Sequence, residues 1–402
     1  MAAPDLTTWD VTMGIWRPKY RTVEGLSAQP ALAAPRDPLD CQRDALPRLK
    51  VVWTGALIPG QSLGNVSRES VSVLRRMGVN LTYRPLPGVP AKWLPHGTVS
   101  GPDGSEAFEI QVPHCLAGLS CPTVRFVHNE FGRLGCSDLI SKGDAIWTPS
   151  VRVATLVSAA RPDIPVFVVP LGVSTHVFRP EGTLYQPLAR RDRFRFLYVG
   201  TTLSRKGFDL LWDAFRLERD NLPGAELVLR LQPDWHGWIW PEALDAREGV
   251  HLLTAPLSRK ALAAVMRSCD VLVLPSRAEA FGMPVLEAMA CGTPPIVPAG
   301  NAMDDFCPEP ARFTVESDPV SYAPRHPGRR SSIVYRYIEP RLSSLRRAML
   351  QAYREPALVA EKRRLCARIA SHYSWERVTT MLLHEATKAV LSQLEQSAVL
   401  SR

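Results

Sequence analysis

The eight cysteines, at positions 41, 115, 121, 136, 269, 291, 307 and 366, form no C-x-x-C pair and no zinc-ligand spacing. A thioredoxin-like redox motif and a zinc ribbon are thereby excluded, and reduced, buried thiols of a cytosolic protein are expected. The first forty residues lack a continuous apolar stretch, so no secretory leader is expected. No apolar run approaches the roughly 18–20 residues of a membrane span. G-x-G-x-x-G with a downstream ribose acid is also missing, which counts against a nicotinamide-dependent oxidoreductase. The expectation is a cytoplasmic protein, soluble or at most peripheral at the inner face of a membrane.

The chain has 402 residues, of which 46% are hydrophobic and 22% charged. That length suits two domains of about 150–200 residues, and the composition lets both bury cores. A net charge of +9 favours polyanions, anionic membrane surfaces or a negatively charged small molecule, and equally fits a solubilising arginine-rich surface.

Residues 1–45 show no periodicity and read as an N-terminal arm. From Leu49 onward, short β-rich runs alternate with helical spacing. Strands are expected near 49–55, 79–84, 123–127, 144–147 and 165–169, with helices at 66–77 and 149–160. A second series runs through strands at 195–200, 226–231, 250–254, 270–274 and 294–297, with helices near 206–217, 258–268 and 284–291. This alternation implies α/β architecture: two doubly wound, Rossmann-like domains, 46–185 and 186–372, with ligands bound in the crevice between them. Residues 317–337, rich in Pro and Arg, read as a surface loop. Residues 373–402 read as a terminal helix that Ser374 could cap.

Chemistry concentrates in Pro275-Ser-Arg-Ala-Glu279-Ala280-Phe281-Gly282-Met283-Pro284-Val-Leu-Glu287. It follows the apolar strand 270–274, at the carboxyl end where open α/β sheets bind ligands. Pro284 suits the first helical position, and the free N–H groups of that helix start make an anion site suited to a diphosphate. Glu279 stays in the loop while Glu287 falls one turn into the helix, so the two carboxylates of E-x7-E can hold different hydroxyl-bearing parts of one ligand. Asp304-Asp305 read as a helix cap or solvated turn in preference to an acceptor contact.

These residues closely resemble the donor-binding motif of family 4 retaining glycosyltransferases of the GT-B fold. The resemblance extends to Val199-Gly200 with Lys206-Gly207-Phe-Asp209, to the segment 168–180, and to Tyr373-Ser-Trp375-Glu376-Arg377, and so covers roughly residues 50–390. It implies a GT-B protein whose last helix crosses back to the N-terminal domain. The implied reaction is transfer of a hexose from a nucleotide-diphosphate sugar, such as a UDP- or GDP-hexose, to an acceptor hydroxyl with retention of configuration. Acceptors would be saccharides, lipid-linked or protein. No nucleic acid partner, cofactor or bound metal is implied, and the absence of any D-x-D sequence fits metal independence.

Carried over residue by residue, Lys206 grips the diphosphate, Glu279 and His128 contact the transferred sugar, and Glu287 holds the ribose. Gly200, Ala280, Phe281, Gly282, Met283 and Pro284 line the donor. Apart from the resemblance, Gly60 belongs to a glycine-bearing run, G-x4-G-x3-G, that fits no phosphate-loop fingerprint and suits contact with donor phosphates or acceptor and simple tight turns equally. This chain has Thr201 where the family usually carries an arginine, and Arg205 is the neighbouring cation that could replace it. A non-catalytic nucleotide-sugar-binding relative is the rival reading.

Overall fold

In the computed structural model the described residues are 50–55, 62–85, 107–112, 123–126, 145–189, 192–232, 249–322, 325–326, 329–330 and 335–400. Two six-stranded sheets organise them. The first contains β1 (Lys50–Gly55), β2 (Asn80–Pro85), β3 (Ala107–Val112), β4 (Thr123–Phe126), β5 (Ala145–Thr148) and β6 (Val166–Val168), with α1 (Ser62–Arg76) and α2 (Val151–Ala160) between strands. Its order is β2-β1-β3-β4-β5-β6, every neighbouring pair parallel. Val51, Trp53 and Trp147 are fully buried, as strands covered on both faces require. The two indoles meet edge to face at 6.5 Å.

The second sheet holds β7 (Arg195–Gly200), β8 (Glu226–Leu231), β9 (Val250–Leu253), β10 (Val271–Val273), β11 (Pro295–Pro298) and β12 (Phe313–Val315). It too is wholly parallel, in the order β12-β11-β10-β7-β8-β9. Helices α3 (Phe208–Leu217), α4 (Arg259–Arg267) and α5 (Met283–Ala290) are its connections. Its strands are continuous apolar runs, Phe196, Leu197, Leu227, Val228, Leu229, Val271, Leu272 and Val273 all being fully buried. Strand order reverses between β7 and β10, which makes their carboxyl ends the switch point at which open α/β sheets bind ligands.

The stretch 317–337 is not the irregular loop its prolines suggested. Ser317–Tyr322 pairs antiparallel with Tyr335–Pro340 in a two-stranded arm. Proline is tolerated there because each strand has only one partner. Helices α6 (Leu342–Arg354), α7 (Pro356–Ala370) and α8 (Trp375–Leu400) follow. Ser374 Oγ accepts from the Arg377 N–H at 3.2 Å, capping α8. Helix α8 packs on α1, where Arg76 pairs with Glu376 at 2.6 Å. At its start Trp375 is buried against Gly172, where a β-carbon would fall 2.7 Å from the indole.

The two sheets are tied together through the start of α2. Ser150 Oγ donates to Ala280 O at 2.8 Å, and the Val151 N–H donates to Asp305 Oδ2 at 2.7 Å. Arg152 donates to Gly300 O and Arg336 O. Asp305 is thus a helix cap, for a helix of the other lobe. Burial pushes its carboxyl up to about 6, with the Val151 N–H opposing and Asp304 adding to the shift.

Candidate functional site

Two loops form the site, one leaving β7 and one leaving β10. The first turns through a 3-10 segment, Ser204–Lys206, before α3 starts at Phe208, later than the helical spacing from 206 suggested. The reason is Gly207, whose φ of 67° breaks the helix and lets the backbone touch Pro275 of the second loop. A β-carbon there would lie 2.0 Å from Pro275 O. The Arg277 N–H donates to Arg205 O at 2.8 Å, a second rung between the loops.

Arg277 also fixes this junction from outside. Its guanidinium forks onto Asp209 at 2.8 Å and Glu339 at 2.8 Å and donates to Ser204 O. Asn301 holds the second loop from the inside. Its Oδ1 accepts from the Glu279 N–H and its Nδ2 donates to Ser276 O at 2.9 Å.

Within this frame Lys206 Nζ lies 2.7 Å from Glu279 Oε1, which also accepts from Ser276 Oγ at 2.8 Å. Arg205 Nη1 stands 3.9 Å from Glu279 Oε2. Burial pushes the Glu279 carboxyl up, but Lys206 and Arg205 outweigh it and hold the group below its usual value. Two cations therefore face one buried carboxylate.

Helix α5 opens beside them. Gly282 precedes it with φ 96°, and a β-carbon there would sit 2.7 Å from Met303 Cγ. Met283 takes the first helical position and Pro284 the second, one residue later than the proline alone suggested. The first turn leaves N–H groups without intrahelical partners, the feature that makes a helix start an anion site. Ala280, Phe281 and Met283 are buried, and Phe281 stacks on Phe306 at 4.6 Å, so this segment presents backbone rather than side chains.

Gly200 ends β7 against the Tyr198 ring. Thr201 O accepts from Tyr198 Oη at 2.6 Å, while Thr201 Oγ1 is buried with no hydrogen-bond partner among the described residues. His128 and Gly60 lie outside the described residues.

Glu287, on the buried face of α5, pairs with Arg259 Nη1 at 3.2 Å. Burial pushes its carboxyl up, against the pull of Arg259. Arg259, Ser276, Asn301 and Arg277 were not singled out from the sequence. Ser276 and Arg277 sat inside the motif already quoted, but Arg259 and Asn301 acquire meaning only through contacts distant in sequence.

The profile of the family described as Glycosyl transferases group 1 matches residues 185–306, the span holding both loops and α5. The chain carries a glycosyl transferases group 1 domain. A D-inositol 3-phosphate glycosyltransferase of Acidothermus cellulolyticus is 27% identical over 69% of this chain and 62% of its own length. Matches to these curated relatives span 25% to 62% of those proteins' lengths.

Among solved structures, sucrose-phosphate synthase from Thermosynechococcus elongatus aligns with TM-score 0.62 at 15% identity, covering 88% of this chain and all of that one. Anabaena HepE, solved with UDP and glucose, aligns with TM-score 0.59 at 12% identity, covering 84% of this chain and 99% of its own. The fold is GT-B, with the group 1 domain carrying the Lys206–Glu279 junction at its switch point. No helix among the described residues is long and apolar enough to cross a membrane.

Proposed function

We propose that this protein is a family 4 glycosyltransferase that moves a hexose from a nucleotide-diphosphate sugar to an acceptor hydroxyl, with retention of anomeric configuration and without a bound metal. The observation that carries the reading is the convergence of Lys206 and Arg205 on the carboxylate of Glu279, in the loop that leads from the switch point of the second sheet into α5. A diphosphate is the part of such a donor that two neighbouring cations attract. Lys206, Arg205 and the α5 amides then stabilise the charge that grows on the leaving diphosphate.

Glu279, held ionised by its two cations, accepts hydrogen bonds from sugar hydroxyls and orients the ring. It is poorly suited to attack the anomeric carbon, because Oε1 is already engaged by Lys206 and Ser276. Front-face departure fits better. The bond from the anomeric carbon to the diphosphate breaks, the acceptor oxygen bonds to that carbon on the same face, and the acceptor proton passes to the departing phosphate oxygen. Glu287 binds the ribose, and the family resemblance gives His128 the role of contacting the transferred sugar. Saccharide, lipid-linked and protein hydroxyls are the acceptor classes, and the charge of +9 favours acceptors at an anionic membrane surface.

The test is turnover of α-configured UDP- and GDP-hexoses with an acceptor panel, followed by proton NMR of the anomeric coupling in the product. An α-linked product from an α-linked donor supports the reading. A β-linked product, or transfer surviving in Lys206→Ala and Glu279→Ala, contradicts it.

A further inference from the structure

Arg259, the first residue of α4, pairs with Glu287 through only one corner of its guanidinium. Nη1 is 3.2 Å from Glu287 Oε1, whereas Nε and Nη2 are buried and have no hydrogen-bond partner among the described residues. Among the described residues the other carboxylate beside it is Glu69 of α1, 3.9 Å from Nε and already accepting from Ser174 Oγ at 2.8 Å. The guanidinium plane is set by the Phe178 ring, 4.8 Å below it. Arg68 is the further charged neighbour, close enough to Arg259 to feel its charge.

A guanidinium kept only to neutralise Glu287 would turn its fork onto the carboxylate, since bidentate pairing is the stronger geometry. Leaving two buried donors idle is an uncompensated cost. The group therefore offers donors beside a carboxylate that only accepts. A vicinal diol complements such a pair, because each hydroxyl both donates and accepts. One hydrogen goes to Glu287 while an oxygen lone pair takes the idle N–H.

We propose that Arg259 is a specificity-determining residue of the donor site, reading the ribose 2′-oxygen together with Glu287 and so favouring ribonucleotides over 2′-deoxyribonucleotides. This rests on the donor reading above and adds a residue to it. Loss of the 2′-hydroxyl leaves a buried donor and acceptor unmatched, so discrimination at the wild-type site is roughly 10- to 100-fold, the range of one charge-assisted hydrogen bond.

The experiment is calorimetric titration of UDP, GDP and ADP, each beside its 2′-deoxy counterpart, into wild type, Arg259→Ala, Arg259→Lys and Lys206→Ala. Arg259→Lys keeps the charge beside Glu287 and guards against misfolding of the alanine variant, but it lacks the fork. The expected result is that both Arg259 variants lower the ribo-to-deoxy ratio by at least about threefold, the remainder being held by Glu287, while Lys206→Ala weakens both ligands and keeps the wild-type ratio. If the ratio survives in Arg259→Lys while Lys206→Ala still weakens binding, the role of Arg259 is overturned and the donor reading stands. If wild type binds no nucleotide, both fall.

Discussion

Lys206 Nζ and Glu279 Oε1, 73 residues apart in sequence, meet at 2.7 Å where the loops leaving β7 and β10 cross. Neither residue could be there without Gly207, whose missing β-carbon lets the first loop lie on Pro275 of the second. The pair joins the cation proposed for the phosphates to the carboxylate proposed for the sugar, so a change at one end is felt at the other.

Replacing Lys206 by Ala should lower kcat/KM by about 10²–10³-fold, the usual cost of one preorganised donor at developing negative charge. It should also move the acid limb of stability. In wild type the folded Glu279 carboxyl lies below its unfolded value, so its stabilising contribution is present above the unfolded value and is lost as pH falls through the lowered one. Without Lys206 burial is less opposed and the folded carboxyl rises towards its unfolded value, so the Glu279 share of the acid loss shrinks and the fall in denaturant midpoint with falling pH should be smaller than in wild type. Midpoints of the two proteins measured between about pH 3 and pH 7 check this, and superimposable acid limbs would contradict it.

Gly207→Ala and Gly282→Ala should both destabilise, the first more. Each forces Ala to positive φ, at a cost of about 1–2 kcal/mol. At Gly282 the obstructing atom belongs to the flexible Met303 side chain, whereas at Gly207 it is the Pro275 backbone, which cannot step aside. Thermal melts should rank Gly207→Ala below Gly282→Ala, with the latter folded but weakened in nucleotide affinity because the start of α5 shifts.

Asp305 should impose a pH dependence opposite in sign to that of Glu279. Burial raises its folded value to about 6 from 3.8, so the folded state holds a proton that the unfolded state releases between these values. Stability supplied by the protonated form is full below the lower value and is lost as pH rises towards the upper one. Asp305→Asn keeps an oxygen for the Val151 N–H and cannot titrate. The difference in unfolding free energy between the variant and wild type should grow from about pH 4 to pH 6 and then level off. A difference that stays flat across that window would contradict the shift.

Arg277→Ala should raise the donor KM more than it lowers kcat. Its guanidinium ties Asp209, Glu339 and Ser204 O together around the Lys206 loop but lies outside the reacting groups. Loss of one partner from such a part-buried network typically costs about 3–5 kcal/mol when the remaining charges stay buried, and less here because Asp209 and Glu339 reach solvent. Steady-state kinetics with a fixed acceptor separates the two parameters.

Strands β7, β8, β10 and β11 could be read from sequence because they are buried and largely apolar, Val271-Leu-Val273 being one, whereas the three-residue edge strand β12 was not read. Strand β3 could not: Ala-Phe-Glu-Ile-Gln-Val alternates polar and apolar residues and stands among glycine, proline and serine. The paired arm around 317–340 was hidden by Pro319, since proline signals a break unless the strand is known to be an edge. Glu279 and Glu287 were legible as a pair, because their spacing and the strand before them are local. Arg259 was not, for its partners Glu287, Glu69 and Phe178 come from three other segments of the chain. Asp305 read as a cap, but no local signal named α2 as the helix it caps.

The most direct measurement is calorimetric titration of UDP, GDP, ADP and NAD into wild type, Lys206→Ala and Glu287→Ala. The expected result is that one nucleoside diphosphate binds wild type and that both substitutions weaken it, Lys206→Ala through the phosphates and Glu287→Ala through the ribose. Binding of NAD alone, or nucleoside diphosphate affinity unchanged by both substitutions, would contradict a donor site at the Lys206–Glu279 junction.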